Sequence, residues 1–343
     1  MAAPLGPRRS HGRRFGGRGN VDARARLGVK ENREEMPGTR DRVSCSAMRL
    51  RSCAEFVPMT VRRDAPFDTL GFLVDPQPGM LVFLESARYL PLLARCRGSV
   101  ACVVATPDLA ERLTEVPGVA ESVSPRRAFF DLHNHLARST DFYGVADATA
   151  VHESAVVHPT AWVAPAGVSI GPGTEVQAHA TILEGCTLGA RVVVQPGVVL
   201  GGVGLQASRF PDAVVDLAHA GQVVVEDDVQ LLAQAVIARA VFRQATTIAS
   251  GCRIGNHAFV SHNARIGART FVGHGAVVNG NVVTGRDCWI GPGAVISHCV
   301  RIGDGARVSL GATVVRDVEA GHHVSGNFAT EHRRFLRRMA ERE

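Results

Sequence analysis

The sequence predicts a mainly β protein whose centre is a parallel β-solenoid, with a small α/β domain before it and one helix after it. The first observation is a six-residue repeat: from Ile248 to Val314 every sixth residue is Ile or Val, except Thr284. The second is a small or medium-sized residue two positions before most of these anchors. The third is the composition, because only two Trp and two Tyr suit a narrow interior filled with aliphatic side chains.

A period of six matches neither the helical period nor simple strand alternation, so the repeat itself is the structural unit. Each unit reads as a short strand followed by a turn, with one aliphatic side chain pointing inward. Three such faces, roughly 18 residues, close one coil, and stacked coils bury a continuous column. Repeats of this kind resemble the left-handed parallel β-helix of the hexapeptide acyltransferases, an exception to the right-handed crossover rule.

Residues 1–60 are rich in Arg and Gly and show no sustained periodicity, so we expect a disordered leader. Three acids, Glu31, Glu34 and Glu35, argue against an organelle-targeting peptide. We expect Met48 or Met59 to be the true start of the protein.

Residues 65–140 change to a mixed pattern that predicts a small α/β domain. Apolar runs predict strands at Met80–Leu84 and Val100–Ala105. Helices are expected at 87–95, 108–113 and 125–136, the last with Pro125 at a favourable early position.

The hexads of the β-helix, predicted for residues 150–325, begin at Val151 and make about eight coils. The period is lost between Gly201 and Gln222 and slips near Arg243, and such insertions in a solenoid tend to be functional loops. Residues 329–343 predict an amphipathic C-terminal helix with arginines on one side.

The net charge of +6 comes largely from arginines near the two ends, so a nucleic-acid partner is not indicated. The eight Cys form no CxxC pair, and Cys252 and Cys288 occupy small-residue positions of the repeat. We therefore expect reduced structural thiols, no metal site and a cytoplasmic protein. No apolar run is long enough for a transmembrane segment or a signal peptide.

The spacing of the histidines indicates a site. His262 and His298 are two coils apart with Gly280 midway, so all three should stack on one corner, about 4.8 Å per coil. An imidazole accepts a proton at neutral pH and suits a general base, while a glycine N–H beside it can stabilise an oxyanion. His274 lies two faces further round, where in a threefold trimer it could face the same groove from a neighbour.

The string from Gly255 to Gly267 resembles the active-site signature of the UDP-3-O-acylglucosamine N-acyltransferases of lipid A synthesis. His262 and Asn263 match the His-Asn pair of that signature, and Asn256 matches a further Asn. The resemblance continues at 223–240, at the Gly-Val-Gly-Leu of 202–205, and at 83–89.

This resemblance implies a homotrimeric N-acyltransferase with its active sites between subunits. No cofactor is bound; the donor is an acyl group, expected to be 3-hydroxyacyl, on the phosphopantetheine of acyl carrier protein, which the basic C-terminal helix could meet. The acceptor is the 2-amine of a UDP-linked, 3-O-acylated glucosamine. His262 takes the amine proton, with Gly280 near the oxyanion and His298 assisting. The implied substrate-binding residues are Phe83 and Tyr89, which would sandwich uracil, with Arg239, Asn256, Asn263 and His274.

Ala238, Ala240 and Gly255 depart from the family pattern, which leaves the acceptor sugar open because two groove-facing acids are missing. Phe83 and Tyr89 could also be plain core aromatics.

One alternative function is that of an acetyl-CoA-dependent nucleotide-sugar or amino-sugar acetyltransferase. A second is a γ-class carbonic anhydrase, whose zinc-site string the run 272–279 resembles, although Asn279 stands where that family has a His ligand. A third is a non-catalytic β-helix scaffold.

Overall fold

A computed structural model describes residues 48–341. The predicted leader lies outside these residues except for 48–60, and that part of the prediction is wrong. A short strand, Met48–Arg49, and a helical turn, Leu50–Cys53, fold onto the small α/β part. Leu50, Cys53 and Val57 are buried in its core. Three apolar residues spaced three and four apart within an Arg-rich segment were too short a signal to predict this turn.

A five-stranded sheet forms the small α/β part, and four of its strands run parallel while the edge strand Thr60–Arg63 is antiparallel. Its strands, in spatial order, are Thr60–Arg63, Gly118–Glu121, Val100–Ala105, Met80–Leu84 and Thr69–Leu70. Its helices are Ala87–Tyr89 (3-10), Leu90–Arg95, Pro107–Ala110 and Pro125–Ser139. Pro66–Phe67 pairs with Met48–Arg49. The long helix buries Phe129, Leu132 and Leu136 because their spacing puts them on one face.

The left-handed parallel β-helix predicted from the hexads is confirmed. Its three faces are sheets of eight, ten and eight strands. Face 1 consists of Ala150–Val151, Val168–Ile170, Cys186–Leu188, Gln222–Val225, Ala245–Ile248, Arg265–Ile266, Val283–Thr284 and Arg301–Ile302. Face 2 consists of Val156–Val157, Glu175–Val176, Val193–Val194, Gln230–Leu231, Arg253–Ile254, Phe271–Val272, Trp289–Ile290, Arg307–Val308, His323–Ser325 and the antiparallel Thr330–Glu331. Face 3 consists of Trp162–Val163, Thr181–Ile182, Val199–Gly202, Val236–Ala238, Phe259–Val260, Val277–Val278, Val295–Ile296 and Thr313–Val314.

The anchors of the hexads fill the interior of the β-helix. Ile248, Val260 and Val278 are fully buried, as are Cys252 and most of the small residues that precede the anchors. Burial of each such side chain contributes about 1.5–3 kcal/mol to the stability of the fold. Because these side chains pack against those of the coils above and below, each coil is stabilised by its neighbours.

Two irregularities join the β-helix to the small α/β part. The predicted excursion at 201–222 is an antiparallel hairpin, Ala207–Arg209 with Val214–Asp216. At the slip near Arg243, Val241 and Phe242 leave the β-helix and enter the aromatic core of the small part. The proposed domain boundary stays a prediction: the β-helix interior is a core of its own, but Leu217, Val241 and Phe242 pack into the core of the small α/β part.

The C-terminal helix spans His332–Ala340 and carries exposed arginines at 333, 334, 337 and 338. Glu331 caps it by accepting hydrogen bonds from the N–H groups of Arg333 and Arg334. No helix among residues 48–341 has the length and apolar character needed to cross a membrane.

Candidate active site

His262, Gly280 and His298 stack on the corner between faces 3 and 1, as the spacing predicts. Backbone hydrogen bonds fix this order: the Asn281 N–H donates to the His262 carbonyl, and the Cys299 N–H donates to the Gly280 carbonyl, each at 3.0 Å. The corner turns through a left-handed residue after each member, and Asn263 has φ +59° there. Asn tolerates this conformation better than most residues, which explains a His-Asn pair at a corner.

The His262 side chain is 8% exposed and lies against Gly280. A Cβ on residue 280 would be 2.5 Å from Cε1 and 2.7 Å from Nε2 of the imidazole. Burial lowers the pKa of His262, and the contact with Asn263 opposes that shift only in part. The ring is therefore neutral at physiological pH and can accept a proton.

Asn263 fixes the other edge of the ring. Its Oδ1 lies 3.3 Å from His262 Nδ1 and accepts a hydrogen bond from the Val241 N–H at 3.1 Å. Its Nδ2 donates to Gln244 Oε1, and its own backbone N–H donates to Thr246 Oγ1. Asn263 is thus part of the framework that holds the base.

His219 belongs to the site, although sequence reasoning did not select it. Its ring meets His262 edge to face, with centroids 5.7 Å apart. Its Nε2 accepts from the Gly204 N–H at 3.2 Å, and its Nδ1 lies 3.2 Å from the Leu217 carbonyl. Burial, followed by the nearby charge of His262, lowers the pKa of His219 to about 4. The sequence offers one signal for His219, its position in the 201–222 excursion. The six-residue repeat is absent there, so it cannot indicate which residue of the excursion faces the site.

Arg239 lies at the base of the same excursion. Its Nε and Nη2 donate to the Gly221 carbonyl at 2.9 and 2.7 Å. Its charge also contributes, as a minor cause, to the lowered pKa of His219.

Asn256 and His274 occupy a different corner, between faces 2 and 3. The Gly275 N–H donates to the Asn256 carbonyl, and the Asn256 N–H donates to His274 Nδ1 at 3.0 Å. Within one chain they are not part of the His262 site.

Asn279 donates its Nδ2 to the Ile296 carbonyl. Among residues 48–341 no three His, Cys, Asp or Glu residues are grouped closely enough to hold a metal ion.

Phe83 and Tyr89 have different surroundings. Phe83 is half-buried and packs on Phe129, with ring centroids 5.1 Å apart, and on Phe72 at 6.4 Å. Tyr89 is 39% exposed and hydrogen-bonds through its hydroxyl to the Arg88 guanidinium. Phe83 therefore serves the core in part, whereas the Tyr89 ring is accessible.

Ala238, Ala240 and Gly255, the positions that depart from the family pattern, are all buried in this chain. Ala238 and Ala240 are fully buried. A Cβ on Gly255 would lie 2.5 Å from the backbone nitrogen of His274. A carboxylate at any of the three would be desolvated or would clash, so the chain packs these positions with small residues.

This chain is similar in sequence to known hexapeptide-repeat proteins. The family described as "Bacterial transferase hexapeptide (six repeats)" matches residues 167–202 and 281–316. The UDP-3-O-acylglucosamine N-acyltransferase of Paracidovorax citrulli is 31% identical over 228 residues, covering 61% of this chain and 66% of that protein. The enzyme of the same name from Caulobacter vibrioides is 41% identical over 153 residues, covering 45% of each. In each case the match spans less than two thirds of the relative's length.

Among solved structures, a UDP-N-acetylglucosamine acyltransferase from Campylobacter jejuni is similar, with 17% identity and a TM-score of 0.41. The match covers 53% of this chain and 73% of that one. The corresponding protein from Bacteroides fragilis has 19% identity and a TM-score of 0.42, covering 55% and 77%.

Proposed function

Because the chain is a hexapeptide-repeat protein related by sequence to the UDP-3-O-acylglucosamine N-acyltransferases, we propose that it is a cytoplasmic N-acyltransferase of lipid A synthesis. The acyl group, a 3-hydroxyacyl group in our proposal, moves from the phosphopantetheine thioester of acyl carrier protein to the 2-amine of a UDP-linked, 3-O-acylated glucosamine. The observation that carries this proposal is the buried, neutral His262 held against the backbone of Gly280.

In the proposed reaction the amine nitrogen attacks the thioester carbonyl while His262 Nε2 removes the amine proton. The Gly280 N–H donates to no group among the described residues, so it is available to the oxyanion of the tetrahedral intermediate. Collapse of the intermediate breaks the C–S bond, and the imidazolium returns its proton to the leaving thiolate. His298, exposed and one coil beyond Gly280, assists at the donor side of the corner.

The acceptor binds across several elements in this proposal. Tyr89 and the edge of Phe83 hold the uracil ring, and Arg239 and Asn263 line the floor next to the base. Asn256 and His274 are contributed by a neighbouring subunit. The exposed arginines of the C-terminal helix meet the acidic carrier protein through charge complementarity.

A homotrimer would bring the two corners together. The outward side chains of face 3 are uncharged along the whole sheet: Trp162, Thr181, Val199, Val236, Phe259, Val277, Val295 and Thr313. Face 1 carries Arg265 and Arg301 outward, and face 2 carries Arg253 and Arg307. Face 3 lies between the His262 corner and the His274 corner, so packing it around a threefold axis sets one corner of each kind side by side.

Val277→Arg is expected to break this trimer, because it places a charge at the middle of the uncharged sheet. Light scattering should give three chain masses for the unmodified protein and one for the variant. Val193→Arg, a matched change on face 2, should leave the trimer intact. An unmodified protein that is monomeric at micromolar concentration would contradict the proposal, as would a Val277→Arg trimer.

The reaction itself is tested with two donors. We expect N-acylation of UDP-3-O-acylglucosamine with 3-hydroxyacyl-loaded carrier protein and at least a 10²-fold lower rate with acetyl-CoA, because acetyl-CoA lacks the carrier protein and the long acyl chain, whose binding energy helps to stabilise the transition state. Mass spectrometry of the sugar product measures both. Faster turnover with acetyl-CoA would favour the acetyltransferase alternative, and no transfer from either donor would favour the scaffold.

A further inference from the structure

A chain of polar side chains runs from His262 into the small α/β part. It passes from Asn263 to Gln244, whose Nε2 donates to Asp75 Oδ2 at 2.9 Å. Asp75 then binds the Arg265 guanidinium with contacts of 3.0 and 3.3 Å. The Asp75 side chain is only 12% exposed, so this ion pair is screened less than a surface pair.

Each amide in the chain has only one possible orientation. The Asp75 carboxylate only accepts hydrogen bonds, so Gln244 must point its Nε2 toward Asp75 and its Oε1 toward Asn263. Asn263 must then present Nδ2 to Gln244, which leaves Oδ1 for the Val241 N–H and for His262. The orientation thus propagates from Asp75 to the imidazole.

An acceptor beside Nδ1 determines where the imidazole carries its hydrogen. Asn263 Oδ1 has no hydrogen to give, so contact with it favours the tautomer with the hydrogen on Nδ1. The lone pair is then on Nε2, the edge that lies against Gly280. That is the nitrogen a general base at this corner must use.

We propose that Asp75 and Gln244 are positioning residues that hold His262 in its Nδ1–H tautomer through Asn263. The inference rests on the proposed role of His262 as the base. It places the acidic end of the arrangement, Asp75, in the small α/β part. Asp75, Phe72, Gln244, Asn263 and His262 line one small cavity, so the two parts of the protein meet at the base.

The tautomer can be observed without substrate. In protein labelled with ¹⁵N-histidine, the two nitrogens of neutral His262 are distinguished by their shifts, and the His262→Gln spectrum assigns them. We expect the Nδ1–H form to dominate in the unmodified protein and the two forms to be mixed in Gln244→Leu. In the acyl-transfer assay Gln244→Leu should lower kcat about 10- to 100-fold while KM for the sugar changes less than about twofold.

The double variant Asp75→Asn with Gln244→Glu exchanges the carboxylate and the amide between positions 75 and 244. The total charge is unchanged, and position 244 still presents a hydrogen-bond acceptor to Asn263. We expect it to restore the tautomer and most of kcat. Gln177→Leu, which removes a half-buried Gln that donates to Glu175, is the matched control and should change neither.

A dominant Nε2–H form in the unmodified protein would overturn the inference, even if Gln244→Leu failed to fold. A folded Gln244→Leu with an unchanged tautomer would overturn it as well. An Nδ1–H form in a protein without acyl-transfer activity would instead count against the proposed function alone, since the tautomer is measured separately.

Discussion

His262→Gln should lower the rate of acyl transfer by about 10²–10⁴-fold, the usual contribution of a general base. Glutamine has a similar reach and can stay at the corner, but it cannot take the amine proton. The adjacent His219 imidazole cannot replace it, because both His219 nitrogens face backbone groups. Initial rates with acyl-loaded carrier protein measure the loss, and thermal melting checks that the fold is kept.

His152→Gln is the matched control, since His152 is an exposed corner histidine of the first coil. It should retain the full rate. A His262→Gln protein with unchanged turnover would remove the imidazole from the mechanism and favour another base or the scaffold alternative.

The pH profile gives an independent check on the same residue. Burial lowers the pKa of His262, so its neutral form persists below the ordinary histidine value of about 6.5. As the pH falls through the lowered pKa the ring is protonated and kcat/KM should fall. The acid limb should therefore have its midpoint below about 6.5 and be absent from the residual activity of His262→Gln. A midpoint above that value would contradict a buried base.

The sequence was sufficient for the β-helix because its signal is local and repeated. The anchors from Ile248 to Val314 fill a narrow interior, and all of them except Thr284 are aliphatic. Once the coil length is fixed, every residue has a definite neighbour one coil away. The stacking of His262, Gly280 and His298 follows from that arithmetic.

The surroundings of His262 could not be predicted in the same way. His219 lies in an excursion without a repeat, and Asp75 lies in a loop of the small α/β part, far away in sequence. Their approach depends on Val241 and Phe242 leaving the β-helix and packing in the aromatic core. Such long-range packing carries no periodic signature. The tight fit of Gly255 against His274 likewise appears only with the backbone in place.

Gly280→Ala is expected to be nearly as damaging as loss of the base. Its Cβ would come within 2.7 Å of both Cε1 and Nε2 of His262, a distance that real contacts do not reach, so the ring must move. Displacing a general base by a fraction of an ångström to an ångström costs on the order of 10²-fold in rate. The methyl group also intrudes on the space in front of the Gly280 N–H, where the proposed oxyanion forms. We expect kcat to fall by that factor, measured in the same transfer assay.

The cost in stability should be much smaller, because the ring lies at a corner of the β-helix rather than in its interior core. Overpacking of this kind typically costs about 1–3 kcal/mol, which shifts the melting temperature without unfolding the protein. Gly98→Ala is the matched control: a Cβ there meets nothing within 4 Å, so rate and melting temperature should both be retained. A Gly280→Ala protein with full activity would mean that the thioester carbonyl does not bind at this corner, since a carbonyl placed there could not coexist with the added methyl group.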